Sequence, residues 1–173
     1  TSSDHGEGAG AHHWNQKSAL YEEVVNIPLI VCLPAGAHGG EVRDQLISNG
    51  IDIYSAICDW TGAEASGQGR SFRQIAEQDA PGQDFVVTET TFDRGTTRGW
   101  MLRTGHFKYV LYDKGKGREQ LFDMDRDRLE RRNLAGKGRY RAELLRHREL
   151  LHTWMQQNRV RPPRRASGDI PVD

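Results

Sequence analysis

The sequence predicts an α/β chain in two parts: an α/β layer first, then a small antiparallel sheet covered by one long helix. Three observations carry this. Residues 29–33 form a continuous apolar run closed by Pro34 and Gly36, the pattern of a strand buried on both faces. Residues 85–124 alternate short β-prone segments with Gly-containing turns. Tyr140, Leu144, Leu151 and Met155, with Leu145 and Trp154 beside them, recur at helical spacing and form one apolar stripe.

Taken in order, residues 1–17 carry Gly6, Gly8 and Gly10, three histidines and no apolar period, and read as a loop whose backbone can approach a ligand closely. A short helix is expected over 18–25, with Ser18 as N-cap. The buried strand 29–33 follows, then a second strand over 41–48. Residues 51–60 place Ile53, Ile57 and Trp60 on one side and stop at Gly62, predicting a helix. Residues 62–82 are rich in glycine, with a short amphipathic piece over 71–76, and read as a connector. Strands are expected over 85–91, 100–104, 108–112 and 120–124, separated by turns at Asp93-Arg94-Gly95, Gly105 and Gly115-Lys116-Gly117. The helix of 140–155 should lie on that sheet. Beyond Asn158, the run Arg159-Val160-Arg161-Pro162-Pro163-Arg164-Arg165 cannot continue a helix and reads as an exposed tail. The expected division is 1–62, the end of a catalytic core; 63–83, a connector; 84–158, a C-terminal subdomain; and 159–173, the tail.

At 173 residues the chain can build one substantial core or a core with a small subdomain. Its 24 basic and 24 acidic residues cancel, so no overall field favours nucleic acid or a membrane surface. No apolar run approaches the roughly 18 residues of a membrane span. Cys32 and Cys58 lie in apolar stretches and read as two free buried thiols. The terminal arginines lack interleaved aromatic residues, which argues against nucleic acid as their partner.

The chemistry concentrates at the start. Ser3-Asp4-His5-Gly6 is followed, thirteen residues after Asp4, by Lys17. A carboxylate and a neutral imidazole suit a divalent cation, and a fixed ammonium suits an anion held beside it. Asp4 and His5 are therefore the candidate metal ligands. Lys17 is the candidate stabiliser of charge on a reacting oxyanion. Each also has a plainer account, as a turn-capping aspartate, an exposed histidine or a solvated lysine. His12 and His13 titrate near neutrality and can donate a proton to a departing oxygen, with His12 favoured. Arg94 and Arg98, in the turn between the first two strands, suit an anionic sugar, and His106 lies near them. The alternation of Arg126, Arg128, Arg131 and Arg132 with Asp125, Asp127 and Glu130 reads as an ordinary charged surface.

These residues resemble the sulfatases of the alkaline-phosphatase superfamily, and the likeness runs nearly the length of the chain. Asp4-His5-Gly6 with Lys17 resembles the family's second metal-binding stretch. Ile27-Pro28-Leu29-Ile30-Val31 resembles the strand after it. Asn49-Gly50-Ile51-Asp52-Ile53-Tyr54 with Trp60-Thr61-Gly62 resembles the helix that follows, with Ser55-Ala56 in place of the usual Pro-Thr. Residues 103–109, 119–124 and Arg132-Asn133-Leu134-Ala135 resemble the family's C-terminal subdomain. The resemblance implies the C-terminal portion of an alkaline-phosphatase-like α/β core, followed by a small antiparallel sheet packed on a long C-terminal helix. It implies a sulfuric ester hydrolase acting on a sulfated small molecule or saccharide. Asp4 and His5 would bind the metal, Lys17 the sulfate, and His12 would act near the leaving group, although Ala11 replaces the acidic residue common before that histidine. Calcium is the expected metal. His5 stands where asparagine is more usual, and manganese or zinc accept its nitrogen more readily. The family's formylglycine arises from Cys or Ser in a Cys/Ser-x-Pro-x-Arg motif. Neither cysteine here has that setting, so the nucleophile and further aspartate ligands are expected in an N-terminal part outside these residues. These 173 residues alone are expected to be inactive. Two alternatives stand: a phosphonate monoester or phosphodiester hydrolase of the same superfamily, which also carries histidine at this site, and a non-catalytic module binding anionic glycan.

Overall fold

A computed structural model describes residues 1–92 and 94–163. The C-terminal half follows the sequence closely. Strands β1 (Phe85–Phe92), β2 (Thr97–Thr104), β3 (Phe107–Tyr112) and β4 (Glu119–Asp123) form a four-stranded antiparallel meander in the order β1-β2-β3-β4. Pairing Val87 with Leu102 and Leu102 with Tyr109 puts these residues on one face, because directly opposed residues share a side. That face receives helix α4 (Arg141–Gln157) through Leu144, Leu151 and Met155, which close on Trp100, Leu102, Tyr109 and Leu121. His147, on the same stripe, is wholly buried; its Nδ1 donates to the Glu143 carbonyl at 2.9 Å, and its Nε2 lies 3.1 Å from the Thr104 hydroxyl.

The opposite face carries Met101 and Val110, and against them sits Leu20 from the N-terminal segment. Strand β2 is thus covered on both sides, which explains its near-continuous burial and the unbroken apolar run Trp100-Met101-Leu102. Gly99 is needed there: a Cβ would come within 2.6 Å of the Tyr112 ring.

The N-terminal half is looser, and several expectations are corrected. Residues 29–33 form no strand. Leu29 makes one isolated bridge to Ser2, and the Thr1 terminus and Ile30 exchange two hydrogen bonds of 2.7 Å. A strand needs a ladder on at least one edge, and no other described segment supplies one. Residues 41–48 are likewise without a strand. The helix expected over 18–25 shrinks to α1 (Glu22–Val25), because Ser18 sits at φ 80°, outside helical space, and cannot cap it. Helix α2 (Asp52–Thr61) forms where expected and ends in left-handed Gly62, but of the expected apolar side only Ile53 and Trp60 pack inward, and Ile57 is exposed. Buried Asp52 secures its start, accepting from the Ser48 and Arg70 amides and from Gln83 Nε2. Residues 63–83 hold α3 (Arg73–Gln78). It packs on α2 through Phe72, Ile75, Ala56 and Trp60, with Trp60 Nε1 donating to Glu77. Cys58 is buried as expected, but Cys32 is exposed because the segment around it lacks a covering layer. The last residues of the expected tail, 164–173, lie outside the described residues, as does Asp93.

Candidate functional site

The loop of residues 1–17 is folded back on itself by backbone bonds. Gly8 N–H donates to the Gln16 carbonyl and Gly10 N–H to the Trp14 carbonyl, which returns Lys17 to the neighbourhood of Asp4. A turn of 3₁₀ helix, Ala11–His13, makes the reversal, with His12 and His13 both at positive φ. The loop is fixed to α1 where Gly6 N–H donates to the Val24 carbonyl at 2.8 Å. A Cβ on Gly6 would stand 2.0 Å from the Glu23 carbonyl oxygen, so only glycine permits this approach. Asn49 ties the other side, donating from Nδ2 to the Ser3 and Asp4 carbonyls at 3.2 and 3.1 Å.

These contacts bring Asp4, His5 and Lys17 to one cleft of about 240 Å³, with Asn49, Thr88 and Glu89 among its walls. His5 Nδ1 donates to the Gly6 carbonyl at 2.7 Å, and a carbonyl can only accept. In the neutral ring this leaves the lone pair on Nε2, which lies 3.7 Å from Asp4 Oδ2. The Asp4 carboxylate is fully exposed and held below its ordinary range. Its own backbone N–H contributes most, then the His5 charge and the His5 amide, with a smaller part from Lys17.

The pair fits a divalent cation. Nitrogen ligands sit about 2.0–2.1 Å from such an ion and carboxylate oxygens about 2.0–2.6 Å, so one ion can touch two donors separated as these are. The hydrogen bond on the far ring nitrogen is the usual device for orienting a histidine ligand. Lys17 lines the same cleft.

The other candidates lie apart. His12 stacks flat on Tyr21, with ring centres 3.9 Å apart, and its Nε2 is 3.8 Å from Glu23 Oε1. It is not among the residues lining the cleft. His13 is exposed. Arg94 is exposed in the β1–β2 turn at φ 54°. Arg98 shares the face of Trp100: its guanidinium lies 4.8 Å over that ring and donates to the Arg161 carbonyl. His106 pairs with Asp125 at 2.7 Å.

Sequence reasoning missed two features. Asn49 serves as a tether from 45 residues away, and no local pattern announces such a contact. His12, Glu23 and Glu130 place ligand-type atoms within 4.8 Å of one another. Within this group Glu130 is already paired, its Oε1 lying 2.8 Å from the Lys108 ammonium, and His12 Nε2 is 3.8 Å from Glu23 Oε1.

Comparison with known proteins adds the following. The sequence family described as "N-sulphoglucosamine sulphohydrolase, C-terminal" matches residues 10–159. The chain is 31% identical over 164 residues to a Delta 4,5-hexuronate-2-O-sulfatase of Bacteroides thetaiotaomicron, covering 90% of this chain and 34% of that protein. It is 25% identical to an N-acetylglucosamine-6-O-sulfatase of the same organism, covering 93% of this chain and 30% of that one. Among solved structures, a 2-O GAG sulfatase superposes with a TM-score of 0.81 at 29% identity, over 91% of this chain and 36% of its own. The fold is also that of a phosphonate monoester hydrolase of Agrobacterium radiobacter, with a TM-score of 0.75 at 23% identity, over 90% of this chain and 34% of that one. The chain thus spans about a third of the length of the curated relatives it matches.

Proposed function

The chain belongs to the sulfatase family, matching its C-terminal part, and from that premise we propose that it completes the active site of an enzyme hydrolysing sulfate esters of sugars. The relatives named for sulfated uronate and glucosamine substrates support a saccharide of glycosaminoglycan type. In this reading residues 1–62 close a catalytic core, 63–83 connect, and 84–158 form a subdomain beside it. The nucleophile, a formylglycine by family resemblance, belongs to the portion of the relatives' length that this chain does not span.

Asp4 Oδ2 and His5 Nε2 would hold the metal, with calcium as the family's expectation and manganese or zinc better matched to the nitrogen. When bound, that ion supplies Lewis-acid polarisation of a sulfate oxygen. The remaining chemistry belongs to the chain itself. Asp4, an exposed carboxylate, is ionised at neutral pH and so is a ready ligand there. Lys17, on the same cleft, neutralises charge that grows on the sulfuryl and departing oxygens as the ester bond breaks. His12 would have to leave its stack on Tyr21 to serve the leaving oxygen.

The observation that carries the reading is the meeting of Asp4, His5 and Lys17 on one cleft, with the His5 tautomer set by Gly6. In the complete enzyme, Lys17→Ala should lower kcat on an aryl sulfate by about 10²–10³, the range for losing one preorganised donor. Asp4→Ala should abolish metal binding and turnover together. Wild-type kcat in Lys17→Ala would make Lys17 an ordinary surface lysine. A second reading, hydrolysis of phosphonate monoesters, is favoured by the nitrogen ligand His5. Parallel assays on an aryl sulfate and an aryl phosphonate separate the two.

A further inference from the structure

Lys108 is an unusual side chain among the described residues. It lies in β3 with no exposed surface, where lysine is almost never fully buried unless paired. Its opposite neighbour in the ladder is Arg103, which puts it on the Met101 and Val110 face, toward the N-terminal segment. Its ammonium lies 2.8 Å from Glu130 Oε1 and 3.1 Å from Glu22 Oε1. The other Glu130 oxygen, Oε2, accepts the Glu22 backbone N–H at 2.7 Å. Helix α1 has no side-chain cap of its own, so Glu130 supplies one from 108 residues away. Glu130 does so from left-handed φ (51°), a conformation that is costly for a non-glycine residue.

We infer that Lys108, Glu130 and Glu22 are positioning residues for the loop that bears Asp4 and His5, so that the C-terminal sheet sets the geometry of the catalytic cleft. The contacts are continuous. Lys108 and Glu130 fix Glu22 by side chain and by backbone. The helix that Glu22 begins presents the Val24 carbonyl to Gly6 N–H. The Gly6 carbonyl in turn receives His5 Nδ1 and sets the direction of Nε2. A buried ion cluster is a poor source of stability, because desolvation offsets the attraction. What it supplies is one permitted arrangement: two carboxylates and one ammonium, with a backbone N–H as fourth member, leave little freedom to shift. Burial pushes the Glu130 carboxyl upward, and the Lys108 charge opposes that shift.

The inference rests on the proposed metal role of Asp4 and His5, and the experiment separates the two. In the complete protein carrying this chain, hydrogen exchange at the Gly6 amide is followed without metal, and Ca²⁺ and Mn²⁺ affinities are measured by calorimetry. The variants are Lys108→Met, Glu130→Gln and Glu22→Gln, beside Asp4→Ala and a core control, Leu151→Ala. Lys108→Met and Glu130→Gln should speed Gly6 exchange at least tenfold and weaken metal binding by about 10–100-fold, the range for losing an outer-shell support. Saturating metal should restore most of kcat. Leu151→Ala should lower Tm yet leave Gly6 exchange and metal affinity of the folded protein near wild type. Should Lys108→Met fail to fold, Glu130→Gln and the milder Glu22→Gln decide. Unchanged Gly6 exchange and unchanged metal affinity in the cluster variants would overturn the inference. Undiminished metal affinity in Asp4→Ala would overturn the metal reading instead, while the metal-free exchange still tests the positioning.

Discussion

The two halves of this chain solve different problems. Residues 85–157 bury most of their own apolar surface, all but the Met101 and Val110 face that Leu20 covers: a four-stranded ladder, a helix on one face, and side chains such as Trp100, Leu102, Leu121 and Leu151 at 0–1% exposure. Residues 1–62 hold the candidate chemistry in a loop with five non-glycine residues at positive φ before Ala19, and they leave Ile30, Tyr54 and Ile57 about half exposed. The difference shows where rigidity comes from. The cleft is shaped by a segment with little core of its own, so its geometry is borrowed from contacts with a segment that has one.

The sharpest test of that asymmetry is stability. Trp100→Ala should cost about 3–5 kcal/mol, the range for deleting a large buried aromatic side chain. Ile57→Ala, on the exposed side of α2, should fall within about 0.5 kcal/mol. Urea unfolding of both variants gives the comparison. Similar losses would show that the two halves share one core and that the contrast is false.

A second test asks whether the loop depends on its docking rather than on global stability. Gly6→Ala forces a Cβ against the Glu23 carbonyl, so the loop must lift from α1. Metal affinity should fall at least tenfold in calorimetry, with little change in Tm, because the Gly6 contact lies outside the sheet-and-helix core. A large fall in Tm with metal affinity intact would place Gly6 in the core rather than in the site.

The same contrast explains what could be read from sequence. The meander and the long helix were legible to within a few residues, because period-two and helical patterns report local burial that the half itself satisfies. Strand β2 begins three residues earlier than its apolar pattern suggests: Thr97-Arg98-Gly99 resembles a turn until it is paired with residues 90–92. In the N-terminal half, the apolar run 29–33 reads as a strand but forms none, because hydrophobicity records a preference for burial and not the presence of a ladder partner. That Asp4, His5 and Lys17 share one cleft is legible because one short loop carries them. The Lys108–Glu22–Glu130 cluster was not, because its members are 86 and 108 residues apart and a lysine is ordinarily read as solvated. Glu130 itself reads from sequence as part of a charged surface, yet it is only 4% exposed.

A smaller effect distinguishes the halves by pH. Burial pushes the His147 imidazole below its ordinary value, so the folded state holds it neutral. The sign follows from linkage: below about pH 6.5 the unfolded chain takes up a proton that the folded chain refuses, so this contribution is complete above that pH. It is lost as pH falls through the lower folded value. Urea midpoints between pH 7 and pH 5 should therefore fall, and His147→Gln should flatten the slope. An equal slope in the variant would assign the acid sensitivity to other groups.

The smallest expected effect concerns the rim of the cleft. Arg94 lies in the β1–β2 turn and Arg98 already in β2, and they separate in the fold. Arg98 lies over Trp100 on the face that receives α4 and donates to the Arg161 carbonyl, whereas Thr90, one wall of the cleft, donates from Oγ1 to Ser18 on the other side. Arg94 is exposed just beyond β1, four residues from Thr90. At about 3.3 Å per residue that is within roughly 13 Å of the cleft wall, a span that two or three sugar rings can bridge. We propose that Arg94 contacts the saccharide beyond the sulfate, while Arg98 supports the sheet. Arg94→Ala should raise KM for a sulfated oligosaccharide severalfold, leave kcat unchanged, and leave a small aryl sulfate unaffected, as expected for uniform binding lost. Arg98→Ala should leave both KM values alone and lower Tm slightly. The opposite pattern would return the sugar contact to Arg98, and equal losses on both substrates would place the arginines at the sulfate itself. If neither variant changed KM, the C-terminal half would shape the site only through its ion cluster.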